Sequence, residues 1–345
     1  MNASVIIPTY NREHILSHVL QYYCLQDCPK DRFEVIVVDD GSVDGTPLLF
    51  TQLDEVKIDC TSGALRQYCD RIVKAVRGWY RPDTDETLFV NGEAVNFKYI
   101  QIKKSGRSVA RNIGIRFSVF PLIIFADDDI FVESEFVKKH IEYHSDEKDV
   151  VIMGKVIHTQ SLESPFDARW KLKDINTAFL ATGNASVRKK HISRAGEFDE
   201  NYTVYGWEDF DLGIHMSDIG LRSVKKKVYG YHYDPPEPYI EPERIYRKEV
   251  ERGMSAVYFY SMHPLKWVKR FTLVDNRAME RIFSVLGFRN WFLKKKKISF
   301  LKGFFRLIIR YKGYFDGIRK AKRQGVSPEP FGEPRSEKTD VLQRR

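Results

Sequence analysis

The chain has 345 residues, 43% hydrophobic and 13% aromatic, with a net charge of +9, which suits a globular protein with one large domain or a core domain with an extension. No segment reaches the roughly 18 apolar residues needed to cross a bilayer. Met1-Asn2-Ala3-Ser4 also lacks the basic and then apolar stretch of a signal peptide, so the expected compartment is the cytoplasm. Cys24, Cys28, Cys60 and Cys69 match neither a zinc knuckle nor a CxxC pair, and the reading is free thiols.

Val5-Ile6-Ile7-Pro8-Thr9-Tyr10-Asn11 reads as a short strand, followed by a helical pattern (Ile15, Val19, Leu20, Tyr23) up to Cys24. Phe33 to Val38 is a second apolar strand and runs into Asp39-Asp40-Gly41-Ser42. Strand, helix and strand make a βαβ unit, whose parallel strands end on one edge. The stretch from Leu53 to Lys98 has no clear place and reads as an exposed insertion. Within it, Arg66 to Val76 could be a helix, and Leu88 to Val95 could be a hairpin about Asn91-Gly92. A strand follows at Tyr99 to Ile102. Ser105 to Gly114 then opens a helix that carries Arg107 and Arg111 on one face, four residues apart, where a pyrophosphate or solvent would meet them.

Leu122-Ile123-Ile124-Phe125 is a buried strand that ends in Asp127-Asp128-Asp129. Three adjacent carboxylates repel one another, and a hard divalent cation, Mg²⁺ or Mn²⁺, would remove that cost. The alternative is a solvated acidic turn before the helix near Glu133. Val150 to Val156 is a further strand. Beyond Gly183, Asn184 and Gly196 to Glu200, the run Gly206-Trp207-Glu208-Asp209-Phe210-Asp211 begins a helix with acids in its first turn. Such acids serve as caps, or as a general base partly desolvated by the indole.

These motifs, in this order, resemble the inverting GT-A glycosyltransferases of family 2 over roughly the first 235 residues. The resemblance rests on Val5 to Asn11, Val37 to Ser42, Gly106 to Gly114, Asp127 to Asp129, Thr182 to Arg188, Gly196 to Glu200 and Gly206 to Asp211. It implies an α/β GT-A fold, Rossmann-like, with a mixed sheet and helices on both faces, plus a helical basic C-terminal extension. Pro8, Thr9, Asp39 and Asp40 would line the nucleotide pocket, and Asp127 to Asp129 would fill the DXD motif that holds the metal on the donor diphosphate. Arg107 or Arg111 would also face the diphosphate. Gly183, Asn184 and Trp207 would lie on the acceptor side, Asp209 would be the base with Glu208 second, and His232 a further metal contact. The implied donor is a nucleotide-diphospho-sugar with uridine as the expected base, and the acceptor a saccharide or lipid-linked saccharide. The rival readings are a sugar nucleotidyltransferase, whose Gly-rich arginine loop is missing here, and a non-catalytic binding module.

Prolines 235, 236, 238 and 242 mark a boundary, so the expected parts are 1–235, with the insertion at 53–98, then 236–324 and a disordered 325–345. Lys266 to Arg323 holds 18 Lys or Arg against three acids, a net +15 that leaves −6 of the overall +9 for the rest. Leu301, Phe304, Phe305, Ile308, Phe315 and Ile318 recur at helical spacing, which suits a basic amphipathic helix on the cytoplasmic face of an anionic membrane. The other reading packs that helix on the protein. No motif for nucleic acid accompanies it.

Overall fold

Two β-branched runs, Ala3–Thr9 (β1) and Phe33–Asp39 (β2), form the middle of a sheet because both of their faces are apolar. Along β2, Val35 and Val37 enter one apolar layer and Ile36 and Val38 the other, which is the two-residue period of a strand covered on both sides. The structure is a computed structural model describing residues 1–58, 63, 65–80, 94–235, 242–285 and 302–325. These fall into two units, one of 1–200 and 212–234, the other of 201–211 and the described residues from 235 onward.

The first unit is built on a ten-stranded mixed sheet. Its further strands are β3 Asp54–Glu55, β4 Ile72–Tyr80, β5 Val95–Ile102, β6 Leu122–Ala126, β7 Ile130–Val132, β8 Val150–Thr159, β9 Asn184–Arg188 and β10 Arg222–Tyr233, in the order β3-β4-β5-β2-β1-β6-β9-β8-β10-β7. Strands β5, β2, β1 and β6 pair in parallel. Strand β9 is antiparallel to both β6 and β8, so β8 and its parallel partner β10 run with β6. Thr9, Asp39, His158 and His232 therefore end their strands on the one edge that Asp127 also leaves from. Open sheets of this kind hold ligands there.

Helices cover both faces. Helix α1 (Glu13–Cys24) buries Leu16, Val19, Leu20 and Tyr23 in the layer of Val35 and Val37. Helix α2 (Arg107–Phe117) buries Val109, Ala110 and Ile113 in the layer of Ile36 and Val38. It approaches β1 closely at Gly114, where a Cβ would stand 2.5 Å from Ile6 Cγ2. Two further helices of this unit are α3 (Phe136–Asp146) and α4 (Lys189–Ala195). The expected mixed sheet with helices on both faces is what the chain forms.

The stretch expected as an exposed insertion differs. Arg66–Tyr68 is a single 3₁₀ turn rather than the start of a helix, and β4 takes the rest, antiparallel to β5. A register shift between Ile72 and Lys74 breaks the strand alternation, which is why its apolar spacing imitates a helix. Part of the stretch thus extends the sheet; the expected hairpin about Asn91-Gly92 lies outside the described residues. The thiols need correction too. Cys24 and Cys28 are free and buried, but Cys69 is disulfide-bonded. Spacing in sequence tests for ligand motifs and says nothing of which thiols the fold brings together.

The second unit is helical: α6 (Pro242–Met262), α7 (Lys266–Thr272), α8 (Arg277–Val285) and α9 (Lys302–Arg323), after α5 (Glu208–Asp218), whose first turn belongs here. Helices α6 and α9 meet at backbone distance, since a Cβ on Gly253 would strike Tyr314 O and one on Gly317 would strike Val250 O. Tyr314, Phe315, Ile318 and Ala321 are buried with Ala256, Val257 and Val274. Phe315 and Ile318, two residues of the apolar stripe read as a membrane face, are thus used inside the unit. Part of the basic face is paired as well, with Arg310 Nε 2.9 Å from Glu249 Oε1 and Lys312 Nζ 3.3 Å from Asp316 Oδ2. Among the described residues no helix is long and apolar enough to cross a membrane.

Candidate active site

At the carboxyl edge of the sheet each acid has a different local task. Asp39, fully buried, accepts the backbone N–H of Ser42 (2.8 Å) on Oδ1 and the hydroxyl of Tyr99 (2.6 Å) on Oδ2, shaping the turn after β2. Burial and this carboxylate push the Tyr99 phenol upward from its ordinary range. Asp40 is clasped by the start of α2. Its Oδ1 accepts from the N–H groups of Ser105 (2.6 Å) and Gly106 (3.0 Å), and Lys104 Nζ reaches Oδ2 at 2.7 Å. Lys104 also lies 3.2 Å from the centre of the exposed Tyr10 ring. Pro8 is half-buried beside them in β1, in register with Val38.

The three acids after β6 share one surrounding. Thr9 Oγ1 donates to Asp128 Oδ2 at 2.8 Å, Arg111 Nη2 meets Asp127 Oδ1 at 3.3 Å, and Arg12 Nη2 meets Asp129 Oδ2 at 3.4 Å. His232 Nε2 stands 3.4 Å from Asp129 Oδ1. Burial, and then the charge of Asp129 beside it, push the Asp128 carboxyl up to about 7. Two arginines at the long end of ion-pair distance leave the cluster under-compensated. Carboxylate oxygens with one imidazole are a donor set that Mn²⁺ or Mg²⁺ accepts, so these residue types suit the ion. Among the described residues, the groups of three whose ligand atoms already lie within 4.8 Å of one another are His158, His232 and Asp234, and Asp211, His215 and His263. Gly183 keeps the approach open, since a Cβ there would lie 3.2 Å from Asp127 Oδ2. Arg107, one turn before the buried Arg111, is exposed.

Asn184 belongs to the core rather than to an acceptor face. Its amide Nδ2 donates to the carbonyls of Lys155 and Val228, each at 3.1 Å, and its Oδ1 is 3.1 Å from His140 Nε2. A buried side chain with its amide committed in this way ties β8, β9, β10 and α3 together.

In the second unit, Gly206 and Trp207 both have positive φ, +104° and +74°. For a tryptophan this costs of order 1–3 kcal/mol, and such strain gathers at functional sites. It is held by Trp207 Nε1 donating to Arg252 O (2.9 Å) and by stacking of the indole on Phe259 at 5.4 Å. The turn delivers the first residues of α5. Glu208 is buried, Asp209 is half-buried with Oδ1 accepting the Phe210 N–H (2.9 Å), and Asp211 is buried 2.6 Å from His263 Nε2. The indole expected on the acceptor side thus packs within its own aromatic cluster.

Sequence reasoning missed Arg12, Tyr99, Lys104, His158 and Asp234. Arg12 had a signal, since it lies three residues beyond Thr9 in the turn after β1. His158 had none, because only sheet register aligns it with His232.

The family model "Glycosyl transferase family 2" matches residues 4–60 and 82–194. Over 306 residues the chain is 25% identical to the "Uncharacterized glycosyltransferase YfnE" of Bacillus subtilis, covering 68% of this chain and 66% of that one. It is also 25% identical over 305 residues to a chondroitin synthase of Escherichia coli, covering 74% and 39%. Of solved structures, the Staphylococcus aureus TarS 1-349 complex with UDP-GlcNAc is similar at a TM-score of 0.48 and 18% identity, over 94% of this chain and 92% of that one. The chain spans about two fifths to two thirds of the length of these two curated relatives.

Proposed function

Because the chain belongs to glycosyl transferase family 2, we propose that it transfers a sugar from a nucleotide-diphosphate donor to a hydroxyl acceptor, with inversion at the anomeric carbon. One observation carries the reading: three under-compensated carboxylates, ringed by Thr9, Arg12, Arg111 and His232, at the edge where parallel strands end. A divalent ion held there by Asp127, Asp128, Asp129 and His232 would neutralise charge building on the leaving diphosphate. Arg111, and Arg107 one turn earlier, add fixed positive charge for the same purpose. Pro8, Thr9, Asp39 and Asp40 form the rigid end of the nucleoside pocket, with uridine the proposed base. Asp209, set in the first turn of α5, is the proposed base that takes the acceptor proton. A single displacement by the activated hydroxyl needs no enzyme nucleophile, hence inversion. The name of the chondroitin synthase relative favours a polysaccharide product.

The test is hydrolysis of a donor panel (UDP-GlcNAc, UDP-glucose, UDP-galactose, GDP-mannose) with Mn²⁺ and without it. Slow release of a nucleoside diphosphate from one donor, dependent on the ion and lost in Asp128→Asn, supports transfer. Release of pyrophosphate from a nucleoside triphosphate and a sugar phosphate would instead mark a nucleotidyltransferase. If no nucleotide sugar is cleaved or raises the Tm, the binding-module reading takes its place.

A further inference from the structure

Strands β8 and β10 pair in parallel with His158 opposite His232, and Asp234 stands two residues beyond His232, so all three share one face at the site edge. Asp234 Oδ2 is 2.8 Å from His158 Nδ1, and its Oδ1 is 3.2 Å from His232 Nδ1. The two rings lie 5.0 Å apart between centres. Backbone bonds hold the arrangement, with Asp234 N donating to Thr159 O (2.8 Å) and Tyr233 N to Asp129 O (2.9 Å). The second of these ties the strand carrying His232 to the acidic turn itself. The carboxylate of Asp234 therefore lies between two imidazoles, one oxygen to each, while the far nitrogen of His232 points at Asp129, 3.4 Å away.

We infer that Asp234, backed by His158, is a positioning residue that fixes the ring of His232 for a divalent ion at Asp127–Asp129. The inference rests on the metal reading of those acids. An imidazole can bind metal through either nitrogen, and a carboxylate that engages Nδ1 commits Nε2 to the ion and raises its basicity. His158 occupies the other oxygen and keeps the carboxylate from turning away.

The experiment is Mn²⁺ binding to the full chain by electron paramagnetic resonance, with spin-echo modulation reporting a coordinated ¹⁴N. Wild type is expected to bind Mn²⁺ with ¹⁴N modulation that His232→Gln abolishes. Asp234→Asn is expected to weaken binding by about 10–100-fold and to reduce the nitrogen signal. Asp234→Ser, smaller and unable to brace the ring, is the second variant and is read in the same way. Affinity and modulation equal to wild type in both would overturn the role of Asp234, and unchanged affinity in His158→Gln would remove His158 from it. Mn²⁺ bound without ¹⁴N modulation in wild type would refute His232 as a ligand while leaving the acids in place. No Mn²⁺ bound to wild type would refute the metal reading itself, and this inference with it.

Discussion

Acidification from pH 8 to pH 5 should weaken the first unit through His140 and His144 on α3, and the cost follows from a chain of hydrogen bonds. Asn184 Nδ2 donates to two carbonyls, so its Oδ1 faces His140 Nε2 and accepts from it. His140 Nδ1 then accepts from Ser186 Oγ (2.8 Å), which in turn accepts from His144 Nε2 (2.9 Å). Every proton has its place when both rings are neutral. Burial pulls His140 down to about 3 and His144 down to about 4, from 6.5. With the folded value below the unfolded one, the stabilisation is complete above about pH 6.5 and drains away as pH falls from there toward the folded values. At pH 5 each ring is protonated in the unfolded chain and neutral in the fold, a gap of about 1.5 units or about 2 kcal/mol, hence about 4 kcal/mol for the pair. Asp128 acts the other way, because its raised folded value means that stability grows as pH falls through 7 toward the ordinary carboxylate range. The decisive quantity is therefore the difference between wild type and His140→Gln/His144→Gln in urea unfolding at pH 8 and pH 5. The double variant should be less stable at pH 8 yet lose about 4 kcal/mol less than wild type on acidification. Equal losses in the two proteins would refute the argument.

Neutralising the crowded carboxylate should have two opposite effects. Without divalent ions at pH 8, Asp128→Asn is expected to melt above wild type, whereas the rise in Tm on adding Mn²⁺ should vanish; a variant that melts lower and still responds to Mn²⁺ contradicts both. At the closest approach of α2 to the sheet, Gly114→Ala should cost about 1–3 kcal/mol of unfolding free energy, because the added methyl meets Ile6 in a packed layer. A change under about 0.5 kcal/mol would show that the layer yields more easily than its packing implies. Thiol titration with Ellman's reagent in denaturant, without reductant, should find fewer than four reactive thiols; four would refute the disulfide at Cys69.

What could be read in advance, and what could not, divides along physical lines. β1, β2 and β6 are short apolar runs that stop at Thr9, Asp39 and the acids from Asp127, so both the strands and their shared edge follow from local pattern. The roles of Asp39 and Asp40 in shaping turns were not legible, since they depend on Tyr99 and Ser105, some sixty residues away in the chain. Strand β4 was hidden by its own irregular register. Asn184, expected on the acceptor side, is instead buried because its amide meets Lys155, Val228 and His140, all at least 29 residues away in the chain. The pairing of His158 with Asp234 needs two strands laid side by side, which a single sequence does not supply.

The contact between α6 and α9 also governs how the basic tail can be interrogated. With Gly253 and Gly317 pressed against the opposite main chain, the last helix is masonry rather than an appendage. Cutting it off would strip the cover from Ala256 and Val257, and sedimentation with vesicles would then follow a sticky, half-dismantled protein. Reversing charge at the exposed Lys320 and Arg323 leaves that masonry standing, so any lost affinity for acidic lipid could be ascribed to the charges alone.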